Sequence, residues 1–367
     1  MRAAVILSFV IFISGAGGVV AFDGGGGDIA LEPQSTTETY ADGPGQAATA
    51  THSVSSVDGE TGSQTNHSHD ELTIHHLDVG QADSTLLVTP QNKTILIDTG
   101  DWRQSGEEVI AYLEAHDIDR IDHLVATHAH ADHIGGHAEV IAWAEKEGDG
   151  IGAAYDSGVA HDTATYESYL DAIEEYEVDL FLVEEGDALP LESENLTNEI
   201  LNPAAGESGT DLHYNSVTIV FEFGNVSYVT TGDAERDAEH RMLAEWEENL
   251  SGDAYQAGHH GSNTSSTQSF LEAIGPEIAV ISSALDSPYG HPHDDVLERF
   301  AAHDIETYWT GVHGDIVMTT DGSDLTVQPA ETYSTDPLDL KDAKPNNDES
   351  VVTSRTGIDG LGYRVAV

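Results

Sequence analysis

The chain has 367 residues, with 67 acidic side chains against 12 basic ones and a formal charge of −55. The absence of cysteine excludes disulfides, a thiol nucleophile, thiolate metal ligands and a lipid-bearing N-terminal cysteine. No Arg/Lys patch exists to hold nucleic acid by charge, and the acidic excess repels itself unless molar salt shortens the Debye length to about 3 Å, so the composition reads as halophilic.

Residues 1–22 set Arg2 before the apolar run 3–13, with small residues continuing to Ala21. This is the pattern of a secretory signal peptide cut after Ala21, and its length also approaches that of a single N-terminal membrane anchor. Residues 23–70 run from Gly24 to Gly27 and on through Ser, Thr, Ala, Gly and Asp, the composition of a flexible low-complexity linker. Six Asn-x-Ser/Thr sequons, at Asn66, Asn92, Asn195, Asn225, Asn249 and Asn263, agree with a secreted or cell-surface protein.

Order is expected from Leu72. Strands are predicted over 72–79, 85–88 and 94–97, the last closed by Asp98-Thr99-Gly100, and a helix over 107–116. The run 121–126 reads as a short buried strand, and a helix follows over 138–147. The stretch 151–213 gives only a helix near 166–176 and a strand near 179–183. Strands return at 217–223 and 226–231, the second ending in Gly232-Asp233. After them come a helix over 234–248, a strand over 254–258 and a helix over 267–274. A strand over 278–282, a helix over 294–303 and three short strands near 306–309, 315–319 and 324–327 finish the domain, taken as 71–330. Two strand-rich halves, each with helices, suggest an α+β fold, a four-layer αββα sandwich with a site along its strand ends. Residues 331–367, rich in Asp, Ser, Thr, Asn and Pro, read as a mostly disordered acidic tail.

The chemistry concentrates in Thr127-His128-Ala129-His130-Ala131-Asp132-His133-Ile134-Gly135-Gly136, directly after the strand 121–126. His128 and His130 share one side of an extended chain by the two-residue repeat. Asp132 and His133 then turn it. Neutral imidazoles and a carboxylate suit Zn2+ or a similar divalent ion. Asp98, Asp233 and the His259-His260 pair each follow another predicted buried strand, and such loops converge along one edge of a sandwich.

The His-x-His-x-Asp-His motif, Asp98-Thr99-Gly100 before it and Gly232-Asp233 after it resemble the metallo-β-lactamase fold superfamily. Leu77-Asp78-Val79-Gly80-Gln81-Ala82-Asp83-Ser84, Gly258-His259-His260-Gly261-Ser262 and Tyr289-Gly290-His291-Pro292-His293 are similar to one branch of it, the soluble hydrolase domain of ComEC-type DNA-uptake (competence) proteins, here in a haloarchaeal-like composition. The likeness spans about residues 72–327. It implies two divalent ions, Zn2+ or Mn2+, with His128 and His130 on one, Asp132 and His133 on the other, and Asp233 bridging. The next ligand is His259, leaving His260 to the substrate, or the reverse. One departure stands out: the place one strand before the bridging Asp, a histidine in many members, holds Asn215, with His213 two residues earlier.

The same likeness implies a phosphodiesterase or nuclease acting on DNA through a metal-activated hydroxide, since a bound divalent ion lowers the pKa of water to about 7. Asp132 would orient the nucleophile, and His260 and His291 would stabilise the oxyanion or protonate the leaving oxygen. Asp98 is expected to orient a histidine ligand. Asp78, Asp83 and Ser262 would fix the loops beneath the site or touch substrate. The alternatives are a metallohydrolase of other exported substrates (phosphorylated surface polymers, lactones or esters) and a catalytically silent surface binding module. ComEC-type proteins carry many membrane spans, whereas the sequence gives at most one here, and no protein partner follows from it.

Overall fold

Alternation within the strands dictates a layered build. In the third strand Ile95 and Ile97 face one way and Leu96 the other, and all three are buried, so the sheet is covered on both faces. The computed structural model describes residues 71–193, 195–206 and 208–345. The expected signal peptide or anchor and the linker 23–70 lie outside the described residues.

The first half comprises β1 (Leu72–His76), β2 (Thr85–Val88), β3 (Thr94–Ile97), α1 (Glu107–Ala115), β4 (Arg120–Ala126), α2 (His137–Lys146), β5 (Gly150–Asp156), α3 (Ala164–Glu175) and β6 (Leu180–Leu182). The second comprises β7 (Leu196–Asn202), β8 (Thr218–Phe223), β9 (Val226–Thr230), α4 (Arg236–Trp246), β10 (Ala254–Gln256), α5 (Gln268–Ile274), β11 (Ile278–Ile281), α6 (Asp294–Ala302) and β12 (Glu306–Trp309). A short helix α7 (Thr310–His313) leads to β13 (Ile316–Thr320) and β14 (Leu325–Pro329), and α8 (Pro337–Ala343) closes the described chain.

One sheet has the order β14-β13-β1-β2-β3-β4-β5-β6, the other β12-β11-β10-β9-β8-β7. Ile95, Ile97, Val125 and Tyr155 meet Ile219, Phe221 and Val280 between the sheets. On the outer face of the first sheet, Leu96, Leu124 and Ala154 pack under Val109, Leu113, Val140, Ile141 and Tyr169 of α1 to α3. On the outer face of the second, Val229, Tyr255 and Ile281 pack under Met242, Phe270, Leu297 and Phe300 of α4 to α6. This is the four-layer αββα arrangement expected from the sequence. Among the described residues no helix is long and apolar enough to cross a membrane.

The stretch 151–213 holds two strands that the residue pattern did not give, β5 and β7. The expectation of disorder does not hold for the first part of the tail. Residues 331–345 are ordered against the domain: Asp336 accepts a hydrogen bond from the backbone N–H of Leu338, Pro337 opens α8, and Leu340 is fully buried in the core beneath α6. A capped helix start and one buried leucine outweigh an otherwise polar composition.

Parallel pairing carries the function. β3 and β4 run parallel, as do β9, β10 and β11, so their C-terminal ends present consecutive loops to one edge. Asp98 follows β3, His128 follows β4, Asp233 follows β9 and His259 follows β10.

Candidate metal centre

The loop after β4 is held by backbone packing before any side chain is considered. A Cβ on Gly135 would lie 2.0 Å from the Trp102 nitrogen and 2.4 Å from the Ala131 oxygen, so only glycine lets the two loops touch. Within that frame Asp98 organises the first histidines. Its Oδ1 accepts from the Thr127 N–H at 2.8 Å, and its Oδ2 accepts from the Thr127 hydroxyl at 2.6 Å and from His133 Nδ1 at 2.7 Å. The Thr127 oxygen in turn lies 3.1 Å from His128 Nδ1. Both imidazoles are thus tied at Nδ1, which turns each Nε2 towards the centre.

The loop after β10 uses backbone strain to the same end. His259 and His260 both sit in the left-handed region, at φ 50° and 56°, which costs about 1–2 kcal/mol per non-glycine residue. That turn sends two adjacent side chains to different sides of one carboxylate. His259 Nδ1 is 3.0 Å from Glu235 Oε1, and His260 Nδ1 donates to the Ser282 carbonyl at 3.1 Å.

Asp233, almost fully buried, is the centre. Its Oδ2 faces His259 Nε2 at 3.5 Å, His128 Nε2 at 3.6 Å and His213 Nε2 at 4.0 Å. Its Oδ1 faces His133 Nε2 at 3.2 Å and His260 Nε2 at 3.8 Å. Two four-donor groups follow: His128, His130, His213 with Asp233, and Asp83, His133, His260 with Asp233, the ligand atoms of each within 4.8 Å of one another. His133 Nε2, His260 Nε2 and Asp233 Oδ1 are buried and make no hydrogen bond. Buried lone pairs facing one another without a partner are costly, and a cation between them removes that cost. The residues of both groups therefore fit divalent ions.

The charge states agree with that shape on the Oδ2 side. On the Oδ1 side burial works against the charged rings of His133 and His260, yet Asp233, with Asp98 or Asp83, holds both above the usual imidazole range, so protons stand where a cation would. Burial, reinforced by His133, holds His128 well below the usual imidazole range, and burial with His213 brings His130 down to about 4. Both are the neutral imidazoles that a metal needs. Burial works against ionisation of Asp233, yet His133, His260 and His259 around it hold it well below the usual carboxylate range. Asp132 is likewise held low: burial pushes it up, and contact with His260 and His133 more than offsets this. Burial pushes His291 down to about 3, so this ring is neutral.

The sequence-derived residues fall into two sets. His128, His130, His133, Asp233, His259 and His260 come together, and Asp132 Oδ2 lies 3.3 Å from His260 Nε2 on the solvent side. His260, not His259, shares the second group, whereas His259 joins His213 and Glu235 in a third group beside Asp233 Oδ2. Asn215 does not reach the centre: its Nδ2 donates to the Asp211 carbonyl at 2.7 Å, and His213 stands in the expected place. Asp83 lies beneath, with Oδ2 3.4 Å from His260 Nδ1. Asp98 orients His133 as described. His291 stands at the rim, its ring centroid 5.8 Å from that of His259 and 6.2 Å from that of His260.

Asp78 and Ser262 stay outside the cluster. Asp78 is exposed and accepts from the Gly80 N–H, and Ser262 pairs with the Thr264 hydroxyl. Two contributors escaped the sequence reading. Glu235 sits two residues past the bridging Asp233, a spacing that gives a detectable signal. Gln256 donates to Asp83 Oδ1 at 2.9 Å while its Oε1 accepts from Thr85, Tyr228 and Thr230, and nothing in a strand-end glutamine announces that role.

Comparisons with known proteins bear on the same residues. The family model described as Metallo-beta-lactamase superfamily matches residues 77–284. The chain is 31% identical over 262 residues to ComE operon protein 3 of Bacillus subtilis (strain 168), covering 67% of this chain and 33% of that protein. It is 29% identical over 244 residues to competence protein ComA of Neisseria gonorrhoeae, covering 66% and 32%. The chain thus spans about a third of the length of these curated relatives. Among solved structures, a diphosphatase from the PhnP family aligns over 68% of this chain and 97% of its own, at 18% identity and a TM-score of 0.43.

Proposed function

The chain belongs to the metallo-beta-lactamase superfamily, and from that membership we propose an exported two-metal hydrolase that cleaves phosphodiester bonds, with DNA as its substrate. The observation that carries the reading is the buried Asp233, whose two oxygens face separate sets of histidines, with His133 Nε2 and His260 Nε2 on the Oδ1 side unpartnered. His128, His130 and His213 with Asp233 would hold one Zn2+ or Mn2+, and His133, His260 and Asp83 with Asp233 the other. Ions held there would supply Lewis acidity to phosphoryl oxygens and would acidify water near neutral pH.

The chain's own groups do the rest. Asp98 and Glu235 fix ring orientation, so the centre is pre-arranged before substrate arrives. Asp132, partly open to solvent beside His260, is placed to accept a hydrogen bond from the attacking water. His291 stands at the rim, where burial favours its neutral ring, and it would orient a substrate oxygen by hydrogen bonding. Support for DNA comes from the ComEC-type motifs and from the likeness to a protein named for competence. Support for export comes from the apolar run after Arg2 and from the sequons.

The test is hydrolysis by the full chain in molar KCl, with Mn2+ or Zn2+, of linear DNA and of a small chromogenic diester, beside Asp132→Ala. Cleavage of both, lost in the variant, is the expected outcome. Cleavage of the small diester alone would remove DNA and point to phosphorylated surface polymers. No turnover with two ions bound would sink the phosphodiesterase reading in favour of esters or lactones, and folded protein that binds no ion would favour a silent binding module.

A further inference from the structure

Two of the chain's four lysines fall at Lys341 and Lys344, in a segment whose composition reads as tail. Neither is idle. Lys341 pairs with Glu298 at 2.6 Å and Asp294 at 3.3 Å on α6. Lys344 donates to the Gly290 carbonyl at 3.0 Å, the Pro292 carbonyl at 2.8 Å and Asp294 Oδ1 at 2.9 Å. These three bonds use all three N–H donors of the ammonium. The two carbonyls flank His291, the ring at the rim of the metal centre.

The rest of that loop is held from the other side. The His293 N–H donates to the Gly261 carbonyl at 2.9 Å, the Asn263 N–H donates to His293 Nδ1 at 2.9 Å, and Gln81 Nε2 lies 3.4 Å from His291 Nδ1. Among the described residues Lys344 is the one lysine or arginine bonded to loop 287–293. The loop is therefore clasped between the His259-His260 turn and the end of α8. We propose that Lys344 is a positioning residue: through the carbonyls of Gly290 and Pro292 it sets where the His291 ring stands against His259 and His260. This rests on the reading of His291 as a substrate-orienting group. α8 then belongs to the site's supporting structure.

The test uses the full chain in molar KCl with Lys344→Met and Lys344→Arg. Two readouts are taken: the rate of His291 modification by diethyl pyrocarbonate, followed by mass spectrometry on metal-free protein, and kcat and KM on the chromogenic diester. Lys344→Met is expected to speed His291 modification several-fold and to lower kcat about 10-fold at unchanged metal content, since displacement of about 1 Å suffices for such losses. Lys344→Arg should restore most of both. In a His291→Gln background the kcat effect of Lys344→Met should vanish, which a purely structural role would not produce. Unchanged His291 reactivity in folded Lys344→Met would overturn the proposal, as would independent, multiplying effects of the two substitutions on kcat. Altered reactivity in a protein whose parent cleaves no diester would keep the positioning role and reject the phosphodiesterase reading.

Discussion

Glu235 shows how much a single side chain outside the ligand motif contributes. Its Oε1 lies 3.0 Å from His259 Nδ1 and 3.7 Å from His213 Nδ1, so one carboxylate sets the orientation of two rings around Asp233 Oδ2. Glu235→Gln keeps the shape and removes the charge. It should weaken binding of Mn2+ or Zn2+ by about 10-fold to 100-fold, read by calorimetric titration, with the fold unchanged by circular dichroism.

Asp156, at the end of β5, contributes a pH dependence of a different kind. Burial pushes its carboxyl from 3.8 up to about 6, and the Gly158 N–H on Oδ1 offsets only part of this. The unfolded chain loses this proton first. Stability contributed by the neutral acid is therefore fully present below about pH 4 and is lost as pH rises through about 6. Asp156→Asn keeps the acceptor oxygen and should be more stable than the parent by about 2–3 kcal/mol at pH 7, the difference closing near pH 4. Urea melts of both proteins across that range measure it, and a pH-independent difference would contradict it.

At the scale of elements, two loops meet backbone to backbone at Gly135. Gly135→Ala would drive a methyl group into the backbone of Trp102 and Ala131, with no flexible side chain to yield. It should cost about 3 kcal/mol in denaturant melts and displace His133, whose carbonyl accepts from the Thr99 N–H. Sequence patterns revealed some elements far better than others. β3 was legible because a strand buried on both faces is a continuous apolar run, and β4 because Leu124 to Ala126 run apolar into the histidine motif. β5, Gly-Ile-Gly-Ala-Ala-Tyr-Asp, hides among small residues, and β7, at the edge of its sheet, mixes polar residues with apolar ones. α8 depends on a cap, a proline and one leucine, too little signal against an acidic background.

The site divides in the same way. Histidines clustered in sequence declared themselves. The choice between His259 and His260 did not, because it turns on two left-handed residues whose ring directions no periodicity encodes. His213 replaces Asn215 for a similar reason: the turn from Asp211 ties up the asparagine amide and leaves the histidine facing Asp233.

At the scale of the whole molecule, charge dominates. A net −55 distributed over one chain raises the energy of the compact state wherever solvent fails to screen it. Raising KCl from about 0.1 M to about 2 M should therefore raise the unfolding temperature monotonically in scanning fluorimetry, since the screening length falls from about 10 Å to under about 3 Å. A flat or falling response would show that the acids are already compensated within the fold.

The first sheet is not finished by its own half of the chain. β13 pairs with β1, matching Leu72 to Thr320, so the strand that enters the domain and one of the last strands lie side by side. Residues 72–76 and 316–320 must therefore meet before the sheet is complete, and a pairing so distant along the chain forms slowly, because the loop between its strands has to close before any contact rewards it.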